Sequence, residues 1–286
     1  MSDNSTSSKP VWFITGCSTG FGRELALHTL SLGYPTVVTA RKPEQVADIA
    51  KTAPDLALVL ELDVTQPEQV TSAIKAAEEK FGRIDVLVNN AGIGYFGSFE
   101  ESELDQVHAM FDINVWGLVS ATRAALPGMR KHRSGTIVNV SSIGGLTAFP
   151  TFSYYHGTKF AVEGMSESLA QEVGPLGIKV LLVEPGPFRT DWAGRSANEA
   201  PRTIADYDET SGKRTQTTRG YSGKQPGDPA RAARAIVETV ESANPPLHLV
   251  LGKIALNAAR TKVTALTKDL DAWAKVSEGA DFPEGE

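Results

Sequence analysis

Residues 11–22 read VWFITGCSTGFG, an apolar run that breaks into a turn with glycines at 16, 20 and 22. A helical pattern follows at once through Phe21, Leu25, Ala26 and Leu30. Strand, glycine turn and helix in that order are the opening unit of a Rossmann-like, doubly wound α/β sheet. Glycine in such a turn permits positive φ and lets the main chain approach a ligand. The helix start adds N–H donors and a dipole suited to phosphate. Ser18 and Thr19 contribute hydroxyls at the same point. The spacing of Gly16, Gly20 and Gly22 is GxxxGxG, not the GxGxxG of the general dinucleotide fingerprint. Read alone, the turn is equally a tight strand-to-helix connection.

The alternation continues downstream. Apolar runs at 36–39, 56–62 (LALVLEL), 84–89 (IDVLVN), 136–142 (TIVNVSS), 179–185 (KVLLVEP) and 247–251 are separated by helical patterns near 43, at 67–81, 101–131, 153–174 and 229–242. Nearly continuous apolar strands joined by helices imply a parallel sheet covered on both faces, with about seven strands. A tail at 1–10 precedes a single domain over 11–252. Within it the polar stretch 191–225 is too long for a casual turn and reads as a lid after a strand end. Residues 253–286 form an extension, helical to about 277.

Composition narrows the function class. The 286 residues are 41% hydrophobic and 22% charged, with a net charge of −6. A pI near 5.5 argues against a nucleic-acid binder, which needs a basic face. Cys17 is the lone cysteine and the five histidines show no HExxH spacing, so no metal site is expected. No apolar run reaches the length of a membrane span and the first ten residues do not read as a signal peptide. A cytoplasmic enzyme is the expectation.

The second strand should end beside an adenosine ribose, where an NAD-selective site carries an acid. Here that position is Ala40, and Arg41 follows, a guanidinium matched to a 2′-phosphate. NADP is therefore favoured over NAD. Asp63 closes the third strand and can accept from an adenine amino group, or simply cap the helix before Pro67. Asn89-Asn-Ala-Gly92 offers small residues against the adenosine, with Asn90 more structural.

Tyr155 and Lys159 lie four apart, on one face if this stretch is helical. A cation beside a phenol favours the phenolate and brings its pKa toward neutrality. The pair alone is a common pattern. Its setting is informative: Ser142 ends a strand thirteen residues earlier, where a hydroxyl can donate to a developing oxyanion. Alternation turns Ser141 the other way. Asn114 is a mid-helix amide that needs a reason, or is satisfied locally.

In order, TGCSTGFG, Asp63-Val64, NNAG, Asn114, Ser142, YHGTK and PGPFRT (185–190) resemble the short-chain dehydrogenases/reductases over roughly residues 11–190. That resemblance implies a hydride-transferring enzyme interconverting a carbonyl and an alcohol. By it, Tyr155 is the general acid/base, Ser142 binds the carbonyl oxygen, and Lys159 holds the nicotinamide ribose and lowers the Tyr155 pKa. Asn114, through its backbone, holds a water of a proton relay. Gly16, Ser18, Thr19, Gly20, Phe21, Gly22, Arg41, Asp63, Val64, Asn89, Ala91 and Gly92 would contact the cofactor, with Pro185, Gly186, Phe188 and Thr190 around the nicotinamide. Phe188 departs from the family's aliphatic residue and would narrow that floor.

The expected substrate pocket comprises Tyr95, Phe96, Ile143, Phe149, Phe152, Pro187 and Trp192, an apolar list without an arginine or lysine matched to an anion. A hydrophobic ketone, aldehyde or secondary alcohol fits it. The resemblance also implies a homodimer or homotetramer through the helices near 101–131 and 153–174. Two other readings differ in class. A nucleotide-sugar epimerase would carry TGxxGxxG, and a non-catalytic NADP-binding regulatory or scaffold protein would be expected to lose part of the Asn114/Ser142/Tyr155/Lys159 set.

Overall fold

The structure, a computed structural model, describes residues 9–194 and 196–282. Most of the expected N-terminal tail and the last four residues lie outside the described residues. The first half of the chain runs β1 (Trp12–Ile14), α1 (Gly20–Ser31), β2 (Thr36–Ala40), α2 (Ala47–Thr52), β3 (Ala57–Glu61), α3 (Pro67–Phe81) and β4 (Val86–Asn89). Then come β5 (Gly94–Phe96), α4 (Leu104–Phe111), α5 (Leu118–His132), β6 (Gly135–Val140), α6 (Ser153–Val173) and β7 (Ile178–Pro185). The remainder is β8 (Ala197–Glu199), α7 (Lys213–Gly220), α8 (Pro229–Glu241), β9 (His248–Leu251) and α9 (Lys253–Glu278).

Seven strands form one parallel sheet in the order β3-β2-β1-β4-β6-β7-β9. The direction of winding reverses between β1 and β4, which opens a crevice over their C-terminal ends. Alternation within each strand feeds two cores. Trp12 and Ile14 pack with Leu25 of α1 and Ile236 of α8 on one face. Phe13 packs with Ile74 of α3 and Ala121 of α5 on the other. Burial on both faces is why the strands read as unbroken apolar runs. Local signals set the helix ends: Pro67 opens α3 and Gly82, at φ +84°, closes it. Asp228 caps α8 by accepting from the Ala230 N–H at 2.9 Å.

Two regions differ from the sequence expectation. The helix expected over 101–131 is α4 and α5 joined by a wide π-turn, Asp112–Gly117, that contains Asn114. Such turns commonly mark functional positions. The polar 191–225 stretch contains β8, which pairs with β5, and α7. Arg219 organises it by donating to the Ala193 and Gly194 carbonyls and, at 2.8 Å, to that of Ala197. Its guanidinium also lies 4.3 Å from the Phe96 ring centroid.

Candidate active site

The glycine turn has the conformation its composition allows. Gly16 and Gly20 sit at φ +72° and +60°, the left-handed region that glycine enters without strain. A β-carbon on Gly22 would collide with the Asn90 amide and the Gly16 carbonyl, so Gly22 is needed for packing beneath the turn. Asn90 Nδ2 donates to the Thr15 and Gly16 carbonyls at 2.8 and 2.9 Å, and Thr15 Oγ1 accepts from the N–H groups of Asn90 and Ala91. The loop after β4 is thereby stitched to the turn after β1.

A cleft of about 1210 Å³ runs over the strand ends. Gly16, Ser18, Thr19, Gly20 and Phe21 line its middle with Ala91 and Gly92. Ala40, Arg41, Asp63 and Val64 close one end. Arg41 is exposed and forms no ion pair with a described residue, leaving its guanidinium available. Asp63 does not cap α3; its Oδ1 accepts from the Thr65 N–H and hydroxyl at 3.0 and 2.8 Å in a local turn. Pro185, Gly186, Pro187, Phe188 and Thr190 form the wall opposite. Phe188, the unusual residue there, packs edge-on against Phe21 with ring centroids 5.1 Å apart.

Four expected contacts lie elsewhere. Asn89 faces the helix layer and donates to Thr122 Oγ1 and Asn139 Oδ1, both at 2.9 Å, because strand alternation turns it away from the cleft. Gly22 lies below the lining. Tyr95 and Phe96 are buried under the 191–200 segment in a small core with Met110 and Phe152, and Tyr95 Oη accepts from the Glu103 N–H at 2.9 Å. β5 pairs with β8, and this pairing covers both rings.

At the far end, β6 delivers Ser142 and α6 delivers Tyr155 and Lys159, and all three line the cleft. Ser142 Oγ accepts from the Gly144 N–H at 3.0 Å, and its side chain favours the Tyr155 phenolate. Lys159 Nζ donates to the Val140 carbonyl at 2.9 Å and lies 5.7 Å from the Tyr155 ring centroid. Burial pushes the phenol up to about 12, with only the Ser142 side chain opposing. Burial also brings the Lys159 ammonium down to about 8, opposed by the Glu163 carboxylate. Lys159 is not among the groups that shift the Tyr155 phenol here: its ammonium is held by a carbonyl of β6 and desolvation dominates. Asn114 does not line the cleft. Its Oδ1 accepts from the Ile93 N–H at 2.8 Å, and its Nδ2 donates to the Ile93 carbonyl at 2.9 Å and Thr158 Oγ1 at 3.2 Å. The amide ties the π-turn to the post-β4 loop and to α6.

Ile143, Phe149, Phe152 and Trp192 wall the space beside Tyr155. The Trp192 and Tyr155 ring centroids are 4.9 Å apart. Sequence reasoning missed Arg214 of α7, which also lines the cleft and stacks its guanidinium 4.9 Å from the Phe149 ring centroid. The wall is thus not free of cations, and no motif marks a residue in that irregular stretch. His156, on the same wall, is pushed down to about 4 by burial and then by the Arg214 charge. Ile254 and Ala258 at the start of α9 were likewise unforeseen.

Behind the 141–145 turn lies a cluster no spacing announced. Ser141 Oγ donates to Glu163, and His248 Nδ1 is 2.6 Å from Glu184 Oε1. Glu163, Glu184 and His248 offer ligand-type atoms within 4.8 Å of one another. They come from α6, β7 and β9, which only the fold brings together.

Comparison with known proteins agrees with this architecture. The short chain dehydrogenase family matches residues 10–201. The chain is 38% identical to Oxidoreductase BOA17 of Botryotinia fuckeliana over 268 residues, 93% of this chain and 97% of that protein. It is 37% identical to the 3-ketodihydrosphingosine reductase of Bacteroides thetaiotaomicron, over 85% of this chain and 88% of that one. A short-chain dehydrogenase of Streptomyces avermitilis superposes with a TM-score of 0.90 at 41% identity, covering 98% of this chain and 100% of that one. Two more solved structures carry nicotinamide cofactors. ElxO with NADP bound has a TM-score of 0.72 at 30% identity, covering 87% of this chain and 99% of that one. A Burkholderia phymatum short-chain dehydrogenase/reductase in complex with NAD has 0.77 at 26%, covering 88% and 92%. The chain belongs to the short-chain dehydrogenase family and is an oxidoreductase.

Proposed function

We propose that this protein reduces a hydrophobic ketone or aldehyde to the alcohol with NADPH, Tyr155 giving the proton. One observation carries the reading: a buried phenol lining the cleft together with Ser142, with Lys159 one turn further along α6. A phenol held up near 12 keeps its proton at neutral pH, the form required to protonate a developing alkoxide. Ser142 orients the same oxygen. Lys159 sits between Tyr155 and the β6 carbonyl, placed to hold a ribose hydroxyl. Asn114 fixes the loop and the helix that frame these groups.

The residues fit a dinucleotide. Two glycines at positive φ present main chain to a pyrophosphate, and about 1210 Å³ exceeds the usual small-molecule pocket. NADPH bound there would supply the hydride and leave as NADP+. Ala40 puts no carboxylate at the ribose, and the available Arg41 suits a 2′-phosphate, which supports NADP over NAD. On the substrate side, Phe149, Phe152 and Trp192 give an apolar wall and Arg214 a donor at one edge. The ketone named for the Bacteroides relative is in keeping with an apolar substrate. Exposed Trp116, at 59%, and Phe160, at 45%, lie where the family's helix pairing would form a dimer. The test is NADPH oxidation across aliphatic and aromatic ketones and aldehydes. Turnover of several apolar carbonyls is expected, and no turnover of any would overturn the carbonyl-reductase assignment.

A further inference from the structure

The C-terminal helix α9 leaves the body of the protein. Its first turns are anchored, with Ala255 buried against Gly186 and with Ile254 and Ala258 on the cleft wall. From 261 to 278 every residue except Ala274 is exposed. Those eighteen residues rise about 27 Å at 1.5 Å each. A free helix of this length is marginal in water, so a stable one needs a packing partner.

The exposed apolar residues specify that partner. Leu256, Val263, Leu266, Leu270 and Trp273 are all exposed, at 39–65%. With Ala259 they fall at spacings of three and four, the seam of a helix that packs along a second helix. The seam is self-complementary when reversed. A two-fold axis between residues 264 and 265 sets Leu256 against Trp273, Ala259 against Leu270, and Val263 against Leu266. The large Leu270 then faces the small Ala259. Lys262 and Asp269, which flank the seam, come to opposite charges across it. A parallel pairing would instead stack Trp273 on its own copy and Ala259 on its own copy. It would also crowd both bodies at one end, where α9 emerges.

We infer that α9 is an antiparallel pairing element for a second copy of this chain, separate from the pairing proposed through α5 and α6. Charge on the helix also favours a protein partner over an anionic lipid surface. Lys253 lies in the anchored first turn, and along the rest of the helix Arg260, Lys262, Lys268 and Lys275 are nearly balanced by Asp269, Asp271 and Glu278. The pairing sets the far end of one helix beside Leu256 of the other, on the face of α9 turned away from Ile254 and Ala258.

Sedimentation velocity on the full chain and on the double variant Leu266→Glu, Leu270→Glu tests this. The assembly mass is expected to fall by half in the variant, whether from four copies to two or from two to one, with circular dichroism showing retained helix. An unchanged mass overturns the proposal. So does wild-type binding to phosphatidylcholine/phosphatidylglycerol vesicles that the variant loses with no change in mass. Orientation is read by cross-linking, since Cys17 is buried and silent. Val263→Cys mixed with Leu266→Cys should form interchain disulfides several-fold faster than either variant alone. Faster self-cross-linking of each variant would overturn the antiparallel arrangement.

Discussion

The two ends of the cleft are made of different material. The end assigned to the cofactor is main chain and small residues at the tips of β1, β2 and β4, locked by Thr15 and Asn90. The end beside Tyr155 is walled by large side chains from 149–152, from the 192–221 stretch and from α9. A backbone cradle admits few substitutions, because each added carbon meets another strand's loop. A side-chain wall on a long connection can change while the sheet stays as it is. One end can therefore be shared across a family while the other sets what is turned over.

Tyr155 stands at the junction, and its substitution should have the largest effect. Tyr155→Phe keeps the ring that packs on Trp192 and removes the proton donor, so kcat should fall about 10²–10⁴-fold. NADPH affinity, read by fluorescence titration, should stay within about twofold, since the backbone cradle is untouched. Parallel loss of affinity and turnover would mean that the phenol places the cofactor and is not the acid. Next in size is Arg41→Asp, which acts at the opposite end. Charge-assisted hydrogen bonds of about 1.5–3 kcal/mol imply a shift of about 10–100-fold in kcat/KM from NADPH toward NADH. An unchanged ratio would show that the 2′-phosphate is read by another group.

How much of this was legible in the sequence follows the same division. The order of strands and helices, the glycine turn and the trio Ser142, Tyr155 and Lys159 could be read because each is a local pattern. The errors came where tertiary pairing decides. Asn89 looked like a cleft residue until alternation in β4 turned it into the helix layer. Tyr95 and Phe96 looked like pocket walls, but β8 pairs with β5 and covers them. Asn114 was found, yet its amide is used between a loop and two helices. Arg214 and Glu163–Glu184–His248 were invisible because their partners lie on elements remote in sequence.

Arg214→Ala sharpens the contrast from the substrate side. The guanidinium stacks on Phe149 and is exposed, so its contribution is of the size of a surface cation–π contact, about 0.5–1 kcal/mol. KM for the carbonyl should rise about two- to fivefold, with kcat and NADPH affinity unchanged. A matching fall in NADPH affinity would place Arg214 in the cofactor half.

The smallest effect is expected behind both halves, at the buried carboxyl pair. Burial is the main cause that pushes Glu163 and Glu184 each up to about 7, with the opposing carboxylate adding to it at Glu163. Ser141, His248, Glu167 and Lys159 are the other polar groups facing them. In the unfolded chain a glutamate titrates near 4.5. Between about 4.5 and 7 the folded protein therefore holds more protons than the unfolded chain, and stability falls as pH rises through that window. Below it both states are protonated and the difference vanishes. Above it the full penalty of two buried charges is present. Glu184→Gln deletes one titration and the repulsion on Glu163, so thermal unfolding should fall less steeply between pH 5 and 8. The variant's Tm relative to wild type should be higher at pH 8 than at pH 5 by about 2–4 °C for each kcal/mol relieved. Identical slopes would mean that the pair is already neutralised by its surroundings. NADPH affinity should not move in either protein, because the cluster lies behind the 141–145 turn and touches neither the glycine cradle nor Arg41.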